Sequence, residues 1–166
     1  MENETTPKIG WELGTAYDLF ISLVVLHNPE EFGLRGSWAA GVRSRIPPAE
    51  RKVLEDGEKM VGVPLPWLHS LPEPKDSATA LWSLGQLPPA SRLPALTDHC
   101  HKDDPLRDTL LKVAERGAWD SKDEESVRAK VRSKKEHLSP KALTCFLDWW
   151  AHPAEFGEAY LEALRS

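Results

Sequence analysis

The chain has 166 residues, a formal net charge of −5, 40% hydrophobic and 28% charged residues, the ordinary balance of a globular protein large enough to bury a core without staples. The acidic balance argues against general nucleic-acid binding, which needs a concentrated basic face. No apolar run is long enough to span a bilayer, the start Met1-Glu2-Asn3-Glu4 is acidic where a signal peptide is basic, and Cys100 and Cys145 form no disulfide framework, so a reduced, cytoplasmic protein without membrane contact is expected.

Residues 1–10 read as a flexible arm, and Trp11 and Leu13 stand before the first helix, placed to close over its end. From Ala16 to Leu26 only Asp18 and Ser22 are polar, and Tyr17, Phe20, Ile21 and Val24 follow helical spacing. A helix that is apolar nearly all round is normally an inner element, so the fold is expected to gather around a central helix near residues 15–27. Thr15 is read as its N-cap, and the Asn28-Pro29 step stops it. Asn28 then caps a second short turn, with Pro29 at its first position and Glu31 at the capping-box position. Gly33 and Gly36 break the chain again, and Ser37 opens a helix carrying Trp38 and Val42.

Ile46-Pro47-Pro48 is a joint before a helix over 48–61, with Val53, Leu54, Met60 and Val61 inward and Arg51, Lys52, Glu55, Asp56, Glu58 and Lys59 on the solvated side. Residues 62–75 hold four prolines, yet Leu65, Trp67, Leu68 and Leu71 are too apolar for a free linker. This segment is expected to lie ordered across the core, pinned by Trp67. Asp76 caps a helix bearing Ala80, Leu81, Trp82 and Leu84 that ends at Gly85, and a short helix over Ser91–Thr97 comes next.

The polar run Asp98 to Asp104 is the expected boundary between an N-terminal half, 11–97, and a C-terminal half, 98–166, the two together forming one domain. Asp104 and Pro105 start a helix striped by Leu106, Leu110 and Val113 up to Gly117. Residues 121–138 form an exposed helix whose acidic start, Asp123-Glu124-Glu125, and basic end suit the helix dipole. Ser139-Pro140 opens the next helix, with Leu143, Phe146, Leu147 and Trp150 on one stripe and Cys145 with Trp149 on another. His152-Pro153 starts the last, where Phe156, Tyr160 and Leu164 repeat. The fold class is therefore all-α, a compact bundle of about seven to nine short helices joined by corners rich in proline and glycine. Pro29-Glu30-Glu31-Phe32-Gly33 and Pro153-Ala154-Glu155-Phe156-Gly157 share the pattern Pro-x-Glu-Phe-Gly. Each is either an independent helix start or one of two related corners packed together.

Chemistry-bearing patterns are sparse. His99 and His101 share a face if residues 98–104 are extended, which makes them the candidate metal ligands, but no second ligand pair at zinc spacing accompanies them. Cys145 reads as a small buried apolar group. Arg43, Arg45, Arg51 and Lys52 flank the Pro47-Pro48 corner and read as a solvated face or, less often for such charge runs, as a surface for an acidic partner. There is no phosphate-binding glycine loop and no Gly-x-Ser-x-Gly. No catalytic residue and no cofactor is assigned.

Tyr17-Asp18-Leu19-Phe20-Ile21-Ser22-Leu23, Leu26-His27, Pro29 and Phe32 to Arg45 resemble the N-terminal helical region of bacterial ArsR-like winged-helix transcriptional regulators. Arg116-Gly117-Ala118-Trp119-Asp120, Leu138-Ser139-Pro140, Leu147-Asp148-Trp149-Trp150 and Glu155-Phe156-Gly157-Glu158 are similar to the same group, so the resemblance covers most of 11–165. It implies a non-enzymatic sensory, dimerising or partner-binding module that reaches DNA only through a winged helix this chain does not contain. The expected contact residues for a small apolar ligand or a partner, a second copy in a homodimer included, are Trp11, Tyr17, Arg35, Trp38, Trp67, Trp149 and Trp150. The alternative is a small helical metal-binding protein or enzyme using His99 and His101.

Overall fold

A computed structural model describes residues 13–101, 105–133 and 139–166, and at 98–101, 105 and 133 it describes the backbone alone. The described residues form helices and no strand: α1 (Thr15–His27), a 3₁₀ turn (Pro29–Phe32), α2 (Gly36–Arg43), α3 (Pro48–Val61), α4 (Leu65–Ser70), α5 (Ser77–Gln86), α6 (Pro89–His101), α7 (Pro105–Arg116), α8 (Ser121–Ser133), α9 (Pro140–Ala151) and α10 (Pro153–Arg165). The all-α expectation holds. No described helix is long and apolar enough to cross a membrane.

The joints are built from the residue types that stop and start helices. Proline occupies the first or second position of α3, α4, α9 and α10, where its missing N–H costs no intrahelical bond. The Asp76 carboxylate accepts from the Thr79 N–H at 2.7 Å, and the Ser139 hydroxyl accepts from the Ala142 N–H at 3.2 Å. Two expected caps are replaced. Gly14 precedes α1, and the Thr15 hydroxyl instead accepts from the Ser77 N–H at 3.0 Å, tying α1 to the start of α5. Asn28 makes no side-chain cap; its amide donates to the Val24 carbonyl and across to Glu58 on α3.

Two helices depart from the expected limits. Six residues of the proline-rich 62–75 segment wind into α4, whose Leu68 is buried while Trp67 meets Phe20 edge-on at 6.1 Å. α6 begins two residues early and continues past Thr97 to His101, carrying Pro94 inside it. Helix therefore replaces loop over residues 98–101.

The interior is one cluster drawn from both ends of the chain, from Ala16, Phe20 and Leu23 to Phe156, Tyr160 and Leu164. α1 lays one face on it, and its other side meets solvent at Ile21, 43% exposed. α10 is enclosed further, packing against α6, α3, α5 and α9. Two glycines let it approach: a Cβ at Gly157 would stand 2.1 Å from the Pro89 carbonyl oxygen, and one at Gly57 of α3 would stand 2.2 Å from the Tyr160 ring. The buried Arg92 of α6 locks this packing by donating to the Leu84 carbonyl at 3.1 Å and to the Gly157 carbonyl at 2.9 Å. Its guanidinium thereby ties the end of α5 and the start of α10 to α6 through their carbonyls.

Candidate ligand cleft between α3, α9 and α10

Docking α10 on α3 brings the outer side of α3 beside α9 and leaves an open cleft of ≈ 690 Å³ between them. Lys52 and Asp56 of α3 form one wall, Lys141, Thr144, Cys145, Asp148 and Trp149 of α9 the other, and His152 and Glu155 close the end. The volume falls in the range that holds small organic ligands.

Asp56 is the hub of the cleft. It was expected on the solvated side of α3, yet it is buried, 8% exposed. Its first oxygen pairs with the Lys52 ammonium one turn earlier, and its second accepts from the Trp149 indole N–H at 3.1 Å. A buried carboxylate held by a cation and a neutral donor is satisfied in both directions. The sequence did carry a sign of this: Val53, Asp56, Gly57 and Met60 share the spacing i, i+3, i+4, i+7 of one inward stripe.

The same carboxylate governs the neighbouring ionisable groups. Burial works against the Lys52 ammonium, but its bond to Asp56 and that carboxylate's charge outweigh it and hold the group above its ordinary pKa. Burial first, and then the hydrogen bond and negative charge of Asp56, push the Cys145 thiol upward. A thiol raised this way stays protonated at neutral pH and is a poor nucleophile. Cys145 is half-buried at the cleft, whereas sequence reasoning placed it in the interior. His152 engages the Asp148 carbonyl through Nδ1 at 3.0 Å, and Asp148 accepts from the Trp119 N–H at 2.8 Å. Lys52, Asp56 and Trp149 thus bond to one another across the cleft, and the Trp149 ring is fixed at both ends, by Asp56 and by edge-on contact with Phe156 at 5.3 Å.

The expected contact residues lie in several places. Trp149 lines the cleft, while Trp150, its neighbour in sequence, is core, 2% exposed, and offers no surface to a ligand. Tyr17 packs on His69 and Trp67 on Phe20, both half-buried where α1 meets α4. Arg35 and Trp38 stand exposed on the corner between the 3₁₀ turn and α2. Trp11 lies outside the described residues, as do the side chains of His99 and His101. Their backbone is helical rather than extended, and positions two apart in a helix lie about 200° apart around its axis. Among the described residues no group of three or more His, Cys, Asp or Glu side chains is placed to hold a metal.

Compared with known family models, with curated proteins and with solved structures, the chain matches none.

Proposed function

We propose that the chain is a non-enzymatic sensory module whose cleft between α3, α9 and α10 takes a small, largely apolar molecule against the face of Trp149. The observation that carries this reading is the fixing of that indole by a buried, already neutralised carboxylate, Asp56, in the wall of a ligand-sized cleft. A rigid aromatic platform beside a buried carboxylate that already has its partners favours an uncharged or aromatic ligand, because no buried charge awaits a counter-ion. The protonated Cys145 thiol and the committed His152 Nδ1 favour binding over nucleophilic chemistry. The assignment to an ArsR-like regulator rests on the residue resemblance alone; it makes the module the cytoplasmic signal-receiving part of such a protein, with DNA contacts supplied by a winged helix.

The test is fluorescence titration with N-phenyl-1-naphthylamine, an uncharged aromatic probe that brightens on leaving water. Wild-type protein should show saturable enhancement, and Thr144→Trp, which fills the cleft from an exposed position, should weaken it at least tenfold with unchanged far- and near-UV circular dichroism. Enhancement that never saturates, or that ignores Thr144→Trp, would refute the cleft as the site.

A further inference from the structure

Asp56 stands next to the glycine whose missing side chain lets α10 dock on α3. Asp56-Gly57 is the only Asp-Gly pair in the chain, and Asn-Gly does not occur. The two residues answer to different neighbours. The Asp56 carboxylate holds Lys52 and the Trp149 indole at the cleft, while a Cβ on Gly57 would stand 2.2 Å from the Tyr160 ring. Packing therefore requires, side by side, the two residue types whose junction rearranges most readily.

That rearrangement is intramolecular. The Gly57 amide nitrogen attacks Cγ of the protonated Asp56 carboxyl group, the amide proton and the carboxyl hydroxyl leave as water, and a five-membered succinimide closes. Water then adds to one of the two ring carbonyls. Opening at the side-chain carbonyl restores aspartate; opening at the main-chain carbonyl leaves isoaspartate, with the backbone running through Cγ. Glycine favours closure because no side chain crowds the attacking nitrogen and its backbone turns freely.

Two features of the structure oppose it. Gly57 lies inside α3, where its N–H belongs to the helical hydrogen-bond ladder and points back along the preceding turn. The Asp56 side chain is also held by both oxygens, one on the Lys52 ammonium and the other on the Trp149 N–H at 3.1 Å, which keeps Cγ from swinging onto the nitrogen. We propose that Asp56-Gly57 is a latent isoaspartate site, and that the clamp of Lys52, Asp56 and Trp149 sets the rate at which it converts. Isoaspartate adds one carbon to the backbone in mid-α3, so it takes the carboxylate from Trp149 and shifts Gly57 against Tyr160. Conversion at this bond follows whether or not the cleft takes a ligand.

Prolonged incubation at neutral pH tests it, with isoaspartate at residue 56 followed by peptide mapping and by enzymatic methylation of isoaspartyl carboxyl groups. The chain unfolded in guanidinium chloride should convert at least tenfold faster than the folded protein. Trp149→Phe, which keeps an aromatic ring against Phe156 but lacks the indole N–H, should speed conversion in the folded protein at least threefold. Val113→Ala, which empties a buried site on α7, controls for lost stability and should stay within about twofold of wild type. Equal rates in the folded and unfolded chain would overturn the proposal. So would Trp149→Phe converting at the wild-type rate, or Val113→Ala matching its acceleration.

Discussion

Two stretches of this chain use nearly the same residues and end in opposite surroundings. Pro29-Glu30-Glu31-Phe32-Gly33 and Pro153-Ala154-Glu155-Phe156-Gly157 each come directly after a helix, and the residue before each proline has nearly the same backbone, φ −124° and ψ 51° at Asn28 against φ −124° and ψ 57° at His152. Even the closing bond matches: the Asn28 N–H donates to the Val24 carbonyl at 2.9 Å and the His152 N–H to the Asp148 carbonyl at 3.0 Å. Beyond the proline the two part. The first makes a 3₁₀ turn that stops at Gly33, leaving Phe32 50% exposed, whereas the second runs on as α10 with Phe156 wholly buried.

The residues just C-terminal to each motif decide the difference. Leu34-Arg35-Gly36 puts a second glycine three residues after Gly33, while Glu158-Ala159-Tyr160-Leu161 continues with good helix formers and an apolar residue one turn beyond Phe156. The proline step therefore sets how the chain leaves a helix, and packing partners set how deep it then goes. Phe156 stacks on Tyr160 at 5.1 Å, and Gly157 lets the Pro89 carbonyl approach; nothing comparable covers Phe32.

Breaking the buried member should cost most. Phe156→Ala is expected to destabilise by about 3–5 kcal/mol, the usual penalty for emptying a fully packed aromatic site, measured by guanidinium denaturation. The stacked Tyr160 sharpens the same point through pH. Burial raises its phenol pKa above the ordinary 10.0, so its contribution is complete below pH 10 and is lost as pH rises beyond it, at about 1 kcal/mol per pH unit. In Tyr17→Phe protein, absorbance at 295 nm should then report phenolate only together with unfolding. At the exposed corner Gly33→Ala should cost about 1 kcal/mol, because the new Cβ meets no neighbour and only the left-handed φ of 69° penalises it. Phe32→Ala should change stability least, within about 0.5 kcal/mol, in dilute protein.

Much of the fold was legible because its punctuation is local. Asp76 and Ser139 cap the helices they precede, and the stripes Leu106, Leu110, Val113 and Phe156, Tyr160, Leu164 bury as their spacing requires. Trp82 broke its stripe, standing 62% exposed beside buried Leu84, since an apolar side chain at a helical position need not face inward. α6 outran its expected end because a helix already packed on α10 and α4 carries Pro94 and a polar tail that local propensity would have stopped.

The candidate site was harder to read. Asp56 looked like one more charge on a charged helix, and the group that stabilises it inside, the Trp149 indole, lies 93 residues away. Cys145 took its surroundings from the same long-range meeting of α3 and α9. The tryptophans were recognisable as specific contacts, but their division into platform, core and exposed corner depends on which helix backs each one. Trp149 and Trp150 share a helix and differ by one position, about 100° around its axis, which separates a cleft wall from the core.

The most direct test of the central claim is ¹⁹F NMR of protein labelled with 5-fluorotryptophan at its seven tryptophans, assigned by single Trp→Phe variants and titrated with an uncharged aromatic molecule such as N-phenyl-1-naphthylamine. The cleft reading predicts that the Trp149 resonance moves saturably while those of buried Trp150 and exposed Trp82 hold still. A titration in which Trp149 stays fixed while Trp38 or Trp82 shifts would contradict it.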